Sequence, residues 1–290
     1  MVPGLLPAVV AALLWGGYLY SLKRHFSGYS GAVVALVVNT LATAWYLPGA
    51  YAYLGGFPAF PSLSAVGLGT VVVTVALAAA GFLTVTYALA AGDVSLVAPV
   101  AKIVPVFVLP LEILLLGAAF GPLQVLGIAV VTAAVYVANY EGGHVLDPLR
   151  NLTRSRAVQL ALLSAACYGV SDVAKRVVLQ DVGLPGAYWV IVSLLGPALL
   201  LAPVAIRRWP REGVRDDLPK FVGIAVVVAL ARVATTLSFS VTSASVAATV
   251  INAQAVVAVV LGGVFLAEEG FRTRLAASAL AVAGIALIAQ

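Results

Sequence analysis

Residues 13–24 read LLWGGYLYSLKR, and 152 positions later residues 165–176 read AACYGVSDVAKR, so that Gly17, Lys23 and Arg24 recur as Gly169, Lys175 and Arg176. Asp93 to Tyr140 also runs without gaps against Ser243 to Gln290 at an offset of 150, with Ser95 over Ser245 and Leu116 over Leu266. The chain is written twice. Each copy carries an odd number of apolar spans, which puts the copies in the membrane in opposite senses around a pseudo-two-fold axis in the bilayer plane. A solute site belongs at the centre of such a molecule.

The composition supports this reading. Of 290 residues, 63% are hydrophobic and 9% charged, with a mean hydropathy of +1.11, far from the roughly one-quarter charged mixture of soluble domains. A helix needs about 20 mostly apolar residues to cross the hydrocarbon. The chain supplies such runs near 5–22, 30–54, 64–91, 94–116, 121–140, 157–180, 185–206, 219–241, 244–267 and 272–290. Barrel strands are half that length and alternate strictly, so the expected fold is an all-α polytopic membrane protein. It has ten transmembrane helices in two inverted five-helix repeats, 1–145 and 146–290, forming one bundle. The first span has a repeat partner inside the protein and is not read as a cleaved signal.

Lys23, Arg24, Arg150, Arg154, Arg156, Arg207, Arg208, Arg211, Arg215, Lys220, Arg272 and Arg274 fall on the face reached after odd-numbered spans; Lys175 and Arg176 fall on the other. The positive-inside rule places the first face in the cytoplasm and both termini outside, in a cell inner (plasma) membrane. The formal charge of +5 is explained by loops beside anionic lipid headgroups, and no nucleic-acid partner is expected. Cys167 is the only cysteine, and His25 and His144 lie far from clustered carboxylates, so no disulfide, metal site or cofactor is expected. No Walker loop or GxSxG elbow is present, and an enzyme has little support.

Few ionisable residues lie inside spans: Lys102 and Glu112 in the fourth, Asp172 in the sixth, Arg232 in the eighth. Each costs about 2.5–3.5 kcal/mol at a span's centre, so each is expected to face a partner or a wet cavity. Asp172 and Arg232 sit at depths where they could pair. Glu112 is ten residues beyond Lys102, about 15 Å along a helix, too far for a local pair. Lys102 therefore stands out as a solute contact. Its counterpart at the 150 offset is Asn252, followed by Gln254; these amides point to the same centre or to interhelical hydrogen bonds. Pro99, Pro105 and Pro110 interrupt the fourth span, whereas the ninth has none; they either free carbonyls toward a cavity or only shape packing. Trp15, Tyr18, Tyr87 and Tyr168 lie inside or toward the ends of spans; Trp15, near the middle of its span, is either cavity wall or packed core, Tyr18 and Tyr87 are further candidate solute contacts, and Glu268 and Glu269 form a solvated turn.

LLWGGYLYSLK, TYALAAGDVSLVAPVAKIVPVF, FLAEE at the end of the ninth span, and the last helices of each half, with Gly127 and Ala134 against Ala277 and Gly284, together resemble the EamA family of the drug/metabolite transporter superfamily. The resemblance implies a secondary transporter of amino acids or related metabolites, its cavity lined by helices 1, 3, 4, 6, 8 and 9. The chain departs from the family pattern in reading LGAAFGP after the fourth span, where a glutamate is frequent, and in the termini expected outside.

Two substrate classes follow. A carrier of anionic metabolites would leave Lys102 and Arg232 facing the empty cavity, as in phosphate-binding relatives of the superfamily. A carrier of zwitterions would neutralise Arg232 with Asp172 and keep Lys102 for a carboxylate, and the sequence favours it slightly. A competing class is a non-transporting lipid-handling or assembly protein. The repeat's mismatches, Lys102 against Asn252, Asp172 against Tyr20 and Arg232 against Phe82, locate the expected site.

Overall fold

A computed structural model describes residues 2–56, 60–91, 97, 100–138, 155–210, 213–265 and 271–288. Every regular element among them is helical: α1 (Leu5–His25), α2 (Gly31–Leu54), α3 (Ala65–Ala91), α4 (Val104–Leu116), α5 (Pro122–Ala138), α6 (Arg156–Arg176) with a π-helical turn (Val177–Asp181), α7 (Gly186–Arg207), α8 (Leu218–Val241), α9 (Ala244–Asn252), α10 (Gln254–Phe265) and α11 (Phe271–Ile288). Ser30, Ser155 and Ser243 start α2, α6 and α9 by accepting a backbone N–H three residues on, as N-caps do.

Among the described residues, seven stretches are long and apolar enough to cross a membrane: α1, α2, α3, α6, α7, α8 and α9 with the start of α10. Three shorter apolar helices, Val104–Leu116, Pro122–Val137 and Ala279–Ile288, stand where the fourth, fifth and tenth spans were expected. Outward-facing positions are apolar, with Val66 and Leu114 each 79% exposed, the pattern of helices solvated by lipid tails.

The heaviest packing crosses between the halves: α3 with α6, α5 with α11, α2 with α7, α1 with α8. The repeat maps α1 onto α6 and α3 onto α8, so α1 with α8 and α6 with α3 are one contact made twice. That reciprocity is what a two-fold relation requires. Along α5 and α11 the backbones touch. A Cβ on Gly127 would lie 2.6 Å from the Gly284 carbonyl oxygen, and one on Gly284 3.0 Å from that of Gly127, a small-residue helix contact.

At the end where α1 and α3 finish and α2, α6 and α8 begin, the buried apolar residues form separate clusters. Phe26, Val34, Leu194 and Phe221 join α2, α7 and α8 to the end of α1. Ala88, Val97, Ala157 and Val158 join α3 and α6 to the start of the fourth span. At the opposite end the largest cluster, including Val108, Leu179, Trp189, Phe239 and Ala247, closes the bundle. A cavity lies between.

Candidate functional site

The cavity measures about 410 Å³, enough for a small organic molecule. It reaches Leu22, Ala35, Val85 and Leu201 toward the two-cluster end and Lys175, Trp189 and Phe239 toward the closed end.

Two broken helices meet at its wall. Ile103 N–H donates to the Val100 carbonyl (3.2 Å) and Val106 N–H to that of Ile103 (2.9 Å). At the 150 offset, Ala253 N–H donates to Val250 (3.1 Å) and Val256 N–H to Ala253 (3.0 Å). Both sets span three residues instead of four, so both helices tighten and break at the same point of the repeat. Pro105 accounts for the first break, because it lacks an N–H and restricts the residue before it. The second forms without proline. There α1 presses close: a Cβ on Gly16 would lie 2.5 Å from Val257 Cβ and 2.9 Å from the Gln254 carbonyl oxygen. The prolines of the fourth span have no counterpart in the ninth, yet the backbone breaks at the same point in both. Lys102, Asn252 and Gln254 all line the cavity at these breaks, where irregular backbone in a membrane bundle is tolerated.

Aromatic residues form another part of the wall. Trp15 Nε1 donates to Thr235 Oγ1 (3.0 Å), and the indole meets the Tyr18 ring edge-on at 5.6 Å. The Arg232 guanidinium carbon lies 5.2 Å from the indole centroid, within cation–π range. Arg232 Nε is buried and has no hydrogen-bond partner. Tyr168 and Phe82 complete this part of the lining.

Asp172 does not form the pair with Arg232 that depth allowed. Its carboxylate is held by Lys175, three residues along the same helix, a spacing that puts the two side chains on one face. Lys175 also sits 4.3 Å over the Phe239 ring. Among the described residues no carboxylate lies within 4.0 Å of Lys102 or Arg232.

Of the residues singled out from sequence, Trp15, Tyr18, Lys102, Asp172, Arg232, Asn252 and Gln254 share this cavity. Tyr87 does not: it lies on the outer side of α3, 46% exposed. Phe82 lines the wall, whereas Tyr20 accepts a hydrogen bond from Arg24 (2.8 Å) outside it. Lys175, which also lines the cavity, was overlooked as a site residue, although the Asp172-to-Lys175 spacing was a readable signal. Glu112 serves elsewhere, capping α9 at the closed end. Ser95, Pro99, His144, Glu268 and Glu269 lie outside the described residues. No group of three or more His, Cys, Asp or Glu that could hold a metal occurs among the described residues.

A two-repeat bundle around a polar cavity is also what comparison with known proteins returns. The model of the EamA-like transporter family matches residues 2–140 and, a second time, residues 155–290. The chain belongs to the EamA-like transporter family. As an EamA-like protein it is a multi-pass membrane transporter built from two repeats. One solved crystal structure, described only as that of a protein, superposes with a TM-score of 0.79 at 18% identity, covering 98% of this chain and 94% of its own; this EamA-like chain shares its fold. No curated protein matches.

Proposed function

We propose that this protein is a secondary transporter that carries a small polar organic solute by alternating access, with the central cavity as its site. The observation that carries this reading is the pair of helix breaks at equivalent positions, 103 and 253, which bring Lys102, Asn252 and Gln254 into one cavity. A site on the symmetry axis can be offered to either side by the same motion. The packing suggests the moving parts: α3, α4 and α6 on one side, α1, α8, α9 and α10 on the other, with α5 and α11 as a fixed seam. The two repeats would then be inverted, with the basic loops on the cytoplasmic side of the plasma membrane.

Flux into proteoliposomes, with purified wild type and Lys102→Ala over a panel of amino acids, carboxylates and phosphorylated metabolites, tests the proposal. Movement of at least one solute, lost in the variant, supports it. A non-transporting membrane protein would move none of them.

A further inference from the structure

Resting on that reading, we infer that the solute is an organic anion carrying two negative charges, bound between Lys102 and Arg232. Three cationic side chains, Lys102, Lys175 and Arg232, line the cavity among the described residues, against a single carboxylate, Asp172. That carboxylate is engaged by Lys175 on its own helix. Among the described residues Lys102 and Arg232 are left with no carboxylate within 4.0 Å, and the Arg232 Nε is buried without an acceptor. Charges left uncompensated in a low-dielectric wall are costly. An arriving dianion neutralises both.

A zwitterion is served poorly by the same cavity. Its ammonium group would need a carboxylate, and the only one among the described lining residues would have to leave Lys175, stranding a third cation over Phe239. The placement of the cations adds a shape requirement. Lys102 stands at the break just before α4, in the same cavity as the amides of Asn252 and Gln254, and Arg232 stands against the Trp15 indole. The solute's two charges therefore sit apart or on one multivalent group, with an apolar body against Trp15, Tyr168 and Phe82.

Two chemistries supply such an anion, a dicarboxylate and a phosphate monoester, and a matched series separates them. Binding of glutarate, valerate, 5-aminovalerate and glycerol 3-phosphate to the purified protein is measured by calorimetry at neutral pH. Glutarate or glycerol 3-phosphate is expected to bind about 30-fold or more tightly than valerate and 5-aminovalerate, the stronger of the two identifying the class. Lys102→Met and Arg232→Met each lower that affinity by about 30-fold, and Tyr87→Phe, outside the cavity, preserves it. Binding of 5-aminovalerate as tight as that of either dianion, binding of neither dianion, or wild-type dianion affinity in Lys102→Met or Arg232→Met overturns the inference. A folded control comes from the melting profile of each variant without ligand. Flux separates the two proposals: a zwitterion carried by wild type removes the dianion and leaves transport, whereas a dianion that binds without moving removes transport and leaves the charge assignment.

Discussion

Glu112 at the end of α4 holds the first turn of α9 through Ser245. The Glu112 carboxylate accepts the N–H groups of Ala244 (2.6 Å) and Ser245 (2.8 Å) and the Ser245 hydroxyl (2.6 Å), and Arg176 Nε lies 3.7 Å away. It is fully buried. At the equivalent position the second repeat carries Gly262, so the other end has no copy of this tie.

Removing the carboxylate strands the N–H groups of α9 and the Arg176 charge. Glu112→Ala is therefore expected to destabilise the protein by about 3 kcal/mol, and Ser245→Ala by about 1 kcal/mol. The thermal midpoint of the detergent-solubilised protein measures both. A midpoint in Glu112→Ala equal to that of wild type would show that the cap contributes nothing.

The seam between α5 and α11 has no room for a larger residue. A side chain on Gly127 meets the Gly284 backbone, so Gly127→Leu should cost about 1–3 kcal/mol. Gly17 is the contrasting case, since a Cβ there would meet nothing within 4 Å. Gly17→Ala should be neutral or stabilise by up to about 1 kcal/mol. Melting of the two variants in the same detergent compares them directly, and equal effects would contradict the packing.

Trp15 has two roles that substitution can separate. Trp15→Phe removes the hydrogen bond to Thr235 but keeps a ring beside Arg232; Thr235 still donates to the Ala231 carbonyl. Solute affinity should change by less than about threefold. Trp15→Leu removes the ring and should weaken affinity by about tenfold. Concentration dependence of flux gives both values, and similar losses in the two variants would place the role in the hydrogen bond.

Acid and alkali should act on one tie at the two-cluster end. Lys220 (2.6 Å) and the Tyr29 hydroxyl (2.8 Å) both donate to Asp217 and hold its carboxyl below the usual range. The stability from a depressed carboxyl is present above its unfolded value, about 3.9, and is lost as pH falls through the folded one. Burial against Phe26 and Phe221, then the bond to Asp217, pushes Tyr29 up to about 12. Its contribution is present below the unfolded value, about 10, and is lost as pH rises through the folded one, about 12. Melting curves of wild type and Asp217→Asn should therefore differ at neutral pH and converge under acid. Parallel curves down to pH 2 would refute the assignment.

The long apolar stretches, the two repeats and seven of the residues that line the cavity were legible in sequence, because apolar length, chain duplication and the rarity of in-span polar groups are one-dimensional properties. Lys102, Arg232, Asp172, Asn252 and Gln254 stand out for the same reason: each is conspicuous against lipid-compatible neighbours. Their partners were not legible. Asp172 could reach Lys175 or Arg232 by depth alone, and only side-chain placement shows it on Lys175. Tyr87 has the composition of a wall residue but faces outward.

The break at Ala253 makes the same point about backbone. Proline marks a break in the chain's own letters, and Pro105 does so in the fourth span. In the ninth span, where Gly16 of α1 packs against Gln254 and Val257, no local signal exists. By itself the sequence determined where the chain can cross lipid and that it does so in two copies. Which charges are neutralised, which carboxylate caps which helix and where the second helix breaks were decided by tertiary structure, since each depends on residues far apart in the chain meeting within a few ångströms.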